Sequence, residues 1–210
     1  MKPHLRWTAL ASILTIVAAG PVSAASDSLT YTVDSASSRV TFKVRSTGHS
    51  FEGVAEEVRG SLTMGQVGYS DGAAGAIEVP VKNMKTGIGK RDRIMRGETL
   101  EAETYPLIRL ETTGLDPPAG ALSEGETYVL QVSGNLSIHG VTHPVTVPVQ
   151  VTRQAEGLTL EGDFAVQLPD YDITPPSFLF FRVKDEVKVS FHLTARPDHN
   201  LSANSAAGSK

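Results

Sequence analysis

The chain has 210 residues, 40% of them apolar and 20% charged, with 19 basic and 23 acidic side chains. That is globular composition at a length suited to one domain. The acidic balance argues against a non-specific nucleic-acid binder, which needs basic excess to engage phosphates. The absence of Cys excludes thiol catalysis, disulfides, Cys-ligated zinc and iron–sulfur centres.

Lys2 and Arg6 form a short basic region ahead of an uncharged, mostly apolar stretch from Trp7 to Ala19. Gly20 and Pro21 break that stretch, and Val22, Ser23 and Ala24 supply a small-residue cleavage pattern. The segment 1–24 therefore reads as a secretory signal peptide cut after Ala24. It is too short for a membrane span, which needs roughly 20 apolar residues. No later segment is long and apolar enough to span, and the cleavable signal peptide gives the periplasm as the expected location of the mature chain.

From Leu29 onward the dominant period is two, which predicts strands with one apolar and one polar face. Val40, Phe42 and Val44 alternate with Arg39, Thr41, Lys43 and Arg45. Val58, Leu62 and Met64 share a face with Gly60, and Ile77, Val79 and Val81 follow. Between Gly87 and Glu103 the composition turns helical, with Ile88, Met95 and Leu100 available to face a core. Ile108 and Leu110 return to period two. Asp116–Glu126, with Pro117, Pro118, Gly120 and Gly125, reads as a surface loop. Tyr128, Leu130, Val132, Leu136 and Ile138 form the next face, then Val141 to Val151 at odd positions, then Leu158, Leu160, Phe164, Val166 and Leu168. Pro169–Phe181 is irregular, and Val187, Val189, Phe191 and Leu193 form the last face. The tail 197–210 is polar and rich in small residues, and is expected to be disordered. No internal repeat or composition shift marks a second domain, so residues 25–196 form one unit.

About eight such strands must curl or close to remove their edges. An antiparallel barrel able to hold one small ligand is the economical solution. A two-sheet sandwich fits the same pattern, and period two does not separate them. The apolar interior is equally open to two readings, a filled core or a cavity.

Motifs for catalysis are weak. His139 and His143 are four apart, but Gly140 and Pro144 make this a turn, not a helical metal face. Glu56 and Glu57 are adjacent on a strand and point to opposite faces, a poor acid/base pair. Asp170 and Asp172 read as turn residues. No nucleophile elbow, phosphate loop or dinucleotide fingerprint is present. No catalytic residue, metal site or cofactor is assigned. The cluster Lys85, Lys90, Arg91, Arg93 and Arg96 is the most suggestive polar feature. It reads either as a solvated helix face or as a receptor for an anionic head group at a barrel mouth.

Four blocks in order carry a family likeness. They are Tyr31-Thr32-Val33-Asp34 with Ser38-Arg39-Val40-Thr41-Phe42-Lys43-Val44, then Lys85-Thr86-Gly87-Ile88-Gly89-Lys90-Arg91-Asp92, then Gly134-Asn135-Leu136-Ser137-Ile138-His139-Gly140-Val141, then Asp185-Glu186-Val187. The sequence resembles the YceI family of exported, lipocalin-like proteins, described as polyisoprenoid-binding. The resemblance runs from about Leu29 to Ala195. It implies an all-β fold, an extended eight-stranded antiparallel barrel with a short helix near one opening. It further implies an apolar tunnel for an isoprenoid or similar lipid.

On that reading the protein sequesters or carries an isoprenoid, quinone or other amphiphilic lipid and is not an enzyme. The ligand-lining candidates are Val40, Phe42, Val44, Leu62, Ile88, Met95, Ile108, Leu110, Leu136, Ile138, Phe164, Val166, Phe178, Phe180, Val189 and Phe191. His49, Arg91, Arg93 and Arg96 are the candidates for a head-group rim. A homodimer is compatible with the sequence. Two rival readings are a ligand-free interaction or stress-protective module with a filled core, and an enzyme acting on a lipid-like substrate.

Overall fold

The computed structural model describes residues 28–65, 74–116, 122–178 and 181–198. The predicted signal peptide, the tail beyond 198 and Phe180 lie outside the described residues. The described strands are β1 (Ser28–Val33), β2 (Arg39–Ser46), β3 (His49–Ala55), β4 (Arg59–Gly65), β5 (Ala74–Pro80), β6 (Met84–Lys85), β7 (Leu107–Asp116), β8 (Thr127–Ile138), β9 (Val141–Gln154), β10 (Gly157–Gln167), β11 (Ser177–Phe178) and β12 (Phe181–Pro197). One helix, α1 (Gly89–Ile94), runs directly into a π-helical turn at Met95–Thr99.

Three pairs of short strands are halves of longer ones. β1 and β2 both pair antiparallel with β12, at opposite ends of it. β4 pairs with β1 while β3 pairs with β2. β5 and β6 pair in turn with β4 and β3. Counted this way the sheet has eight staves in sequence order, each antiparallel to the next, closed where β12 meets β1 and β2. The expected eight-stranded antiparallel barrel is therefore the observed fold, and the sandwich alternative falls away. Closure pairs the first stave with the last, which is how a barrel disposes of its edge strands.

Alternation sorts the side chains. Even positions of β2, β8 and β10 and odd positions of β9 and β12 point into the lumen. On β7 the inward set switches from Ile108, Leu110 and Thr112 to Leu115. The cause is a bulge between Thr112 and Gly114, where the register with β8 slips by one. A one-residue slip turns every following side chain over, so Leu115 stays inside.

Two clusters of buried apolar residues stack along the barrel. One holds Phe42, Val44, Leu136, Val166 and Val187; the other holds Met64, Leu130, Val147, Val149 and Leu158. Phe164, Phe191 and Leu160 pack against both.

Three expectations change in detail. The stretch read as a surface loop before β8 is anchored at Leu122, which is 2% exposed, and whose carbonyl accepts Arg153 Nη1 at 3.1 Å. A single Leu among Pro, Gly and acidic residues carries no period, yet it plugs the second cluster. The irregular stretch after β10 buries Tyr171 and Ile173 at 3% exposure each. It folds over one end of the barrel and returns through β11, which pairs with the start of β12. Pro197, read as the start of the tail, ends β12 opposite Tyr31.

Candidate functional site

The lumen encloses a cavity of about 350 Å³, within the ~300–1,000 Å³ range of ligand sites. Its wall draws on all eight staves, on α1 and on the segment after β10. Among the lining residues the side chains with polar atoms are Thr63, Thr86, Arg91, Thr99 and Thr112.

Packing of aromatic rings against glycines keeps this space open. Phe42 faces Gly53 across the β2–β3 ladder. Its ring lies so close that a Cβ on Gly53 would stand 2.1 Å from Phe42 Cζ. Phe191 lies over Gly162 in the same way, with its ring 6.4 Å from that of Phe164. Rings folded sideways over glycines cover the wall and do not cross the lumen.

Thirteen predicted lining residues face this cavity: Val40, Phe42, Val44, Leu62, Met95, Ile108, Leu110, Leu136, Ile138, Phe164, Val166, Val189 and Phe191. Ile88 does not; it precedes α1 and is 55% exposed. The side chain of Phe178, like Phe180, lies outside the described residues. Several lining residues escaped the sequence reading. Phe51 shares its face with His49, Gly53 and Ala55, which give a period-two count little to register. Met84 sits on a two-residue strand, and Ile173 lies in a segment without period.

The helix sits at the end of the barrel where β2 turns into β3. The basic cluster separates there by contact. Lys90 and Arg93 are exposed. Arg96 donates from Nη1 to the Lys82 carbonyl at 2.8 Å and from Nε to the Asp92 carbonyl at 3.2 Å, tying α1 to the preceding turn. His49 is exposed, with its ring against the Ser46 hydroxyl. Of the four predicted rim residues only Arg91 lines the cavity.

Arg91 is held from two sides. Nε donates to Thr86 Oγ1 at 2.7 Å and Nη2 to the Thr86 carbonyl at 2.8 Å. The guanidinium carbon lies 3.9 Å from the centroid of Phe51, a cation–π contact. Thr86 is itself fixed by Asp92, whose Oδ1 accepts the Thr86 amide at 2.7 Å and also the Thr86 hydroxyl. Asp92 is 7% exposed. Burial pushes its carboxyl up, but the Thr86 hydroxyl and amide, then the Arg96 and Arg91 charges, more than offset this. Its pKa falls below the ordinary carboxylate value.

The other polar candidates are structural. His139 occupies the turn before β9 at φ 51, its ring edge-on to Tyr105 and Nε2 3.3 Å from Glu101 Oε1. His143 donates from Nε2 to the Asp170 carbonyl at 2.7 Å and packs edge-on against Tyr171. Burial, then the Asp170 charge, raises the Tyr171 pKa. Glu56 pairs with Lys85, whereas Glu57 pairs with Arg59 and Asn83. The two carboxylates thus have separate partners. Asp170 and Asp172 belong to a short 3₁₀ turn and its left-handed exit.

Comparison with known proteins places this geometry. Solved structures share the fold. Burkholderia cenocepacia BcnA is 23% identical with a TM-score of 0.65, covering 77% of this chain and 98% of its own. A polyisoprenoid-binding domain from Saccharophagus degradans, implicated in plant cell wall breakdown, is 18% identical with a TM-score of 0.64, covering 81% of this chain and 99% of its own. A Campylobacter jejuni YceI protein is 12% identical with a TM-score of 0.54, covering 70% and 84%. No curated protein matches the chain. The family model for the YceI-like domain matches residues 31–195, from β1 to the end of β12. The barrel, its helix-capped cavity and that match agree: the chain belongs to the YceI-like domain family.

Proposed function

We propose that this protein is an exported binding protein that holds one amphiphile, an isoprenoid, quinone or similar lipid, with its apolar chain in the barrel. The observation that carries this is the continuous cavity lined almost wholly by apolar side chains from every stave. Each CH₂ moved from water into such a lining contributes about 0.8 kcal/mol. A polar head gains nothing there and stays at the helix-capped end. The description of the Saccharophagus degradans neighbour as polyisoprenoid-binding supports the same class of ligand.

The mode of action is sequestration without a covalent step. The polar side chains at the cavity wall are threonine hydroxyls and one guanidinium. None of these is a base at neutral pH. The reading of residues 1–24 as a signal peptide supports a periplasmic place for the mature chain.

Native mass spectrometry of the protein purified from its own periplasm, followed by organic extraction, tests the proposal. The expected result is a chain beginning at Ala25 with a stoichiometric extra mass that extracts as a prenyl lipid or quinone. A bare chain that stays empty after incubation with prenyl lipids would overturn it.

A further inference from the structure

Arg91 differs from every other cation of its cluster. It is half-buried, it lines the cavity, and its orientation is set by two hydrogen bonds and an aromatic face. Among the described residues its Nη1 donors have no hydrogen-bond partner. No carboxylate of the described residues lies within ion-pair distance of it either. The nearest acid in the network, Asp92, spends its Oδ1 on Thr86. Nη1 is not sealed from solvent, so its unspent pair of N–H groups is open to an incoming anion. Arg also presents the planar fork that matches oxyanions.

We infer that Asp92, Thr86 and Arg91 form a preset head-group clamp, in which Arg91 selects amphiphiles bearing an oxyanionic head over neutral ones with the same chain. Thr86 works in both directions. Its hydroxyl hydrogen is committed to Asp92, so the Oγ1 lone pairs turn toward Arg91 Nε. Asp92 is thus a positioning residue. It fixes the donor–acceptor sense of Thr86, and Thr86 fixes the guanidinium. The guanidinium is then presented to an incoming head with little side-chain entropy left to lose. This inference rests on the cavity reading above and narrows its ligand.

Two probes with one chain separate the head from the tail: geranylgeranyl phosphate and geranylgeraniol. Their affinities are measured by calorimetry on the mature protein and on variants, and the phosphate-to-alcohol ratio is read within each variant. The wild type should prefer the phosphate by about tenfold or more, the size of one charge-assisted contact. Arg91→Gln should bring the ratio to about one. Arg91→Lys keeps the charge without the fork and should recover only part of the preference. Asp92→Asn should lower the ratio with Arg91 still in place. Lys90→Gln removes one exposed charge from the same helix and should leave the ratio unchanged.

A wild type that binds both probes equally would overturn the clamp and leave the cavity reading standing. So would an Arg91→Gln variant that retains the preference, or one that loses both probes together. Failure of the wild type to bind either probe would overturn the cavity reading itself, and the clamp with it.

Discussion

Asp92 keeps a carboxylate out of water beside an apolar cavity, and its hydrogen bonds decide its protonation. The folded-state pKa lies below the ordinary value of 3.8. A depressed folded pKa means the stabilisation is fully present above the unfolded pKa and is lost as pH falls through the folded one. Asp92→Asn should therefore lower the melting temperature most at neutral pH. The gap to wild type should narrow below about pH 4. Melting curves from pH 3 to 7 check this, and a gap independent of pH would contradict it. Gly53 makes the second residue-scale case. The three atoms nearest an added Cβ all belong to the Phe42 ring, and the ring has open lumen to swing into. Gly53→Ala should cost about 1 kcal/mol, the low end for overpacking, yet weaken chain binding clearly because the ring then occupies ligand space. Denaturation and binding of geranylgeraniol measure the two effects separately.

At the scale of elements, the link between β8 and β9 is two residues long, and both sit at positive φ: His139 at 51° and Gly140 at 78°. That is the turn whose twist suits a hairpin. Gly140 also lies under Tyr105, so an added Cβ would stand 2.6 Å from its Cε1. Gly140→Ala should destabilise the barrel by about 1–2 kcal/mol through backbone strain alone, with the Tyr105 contact adding to it. Chemical denaturation reads that loss. Gly140 and Pro144 made this turn legible in sequence, as alternation did for the faces of β2, β8, β9, β10 and β12. Where an element carries no period the reading failed. The Phe51 face is hidden by Gly53 and Ala55, and Leu122 and Ile173 stand alone among Pro, Gly and Asp. Ile88 failed for the opposite reason. It shares a helical pattern with Met95 and Leu100, but α1 begins only at Gly89, so Ile88 precedes the face it was assigned to.

At the scale of the whole molecule, a closed barrel that binds a ligand only when folded is stabilised by it through mass action. At a free ligand concentration 100 times the dissociation constant the gain is about 2.7 kcal/mol. For a domain of this size that is a rise of roughly 5–10 °C in melting temperature. Scanning calorimetry of extracted and reloaded protein tests it, and an unchanged transition would count against a ligand held inside. What the sequence by itself determined was the number of staves, their polar and apolar faces and the family, because side-chain period and ordered motifs are local properties. What only the tertiary structure decided was that the lumen is open, that Arg91 alone among the predicted rim residues faces it, and that Asp92 sets its orientation. Void space and charge pairing depend on which distant surfaces meet. Phe42 over Gly53 and Arg91 over Phe51 are meetings across strands and between a strand and a helix, and no periodicity along the chain records them.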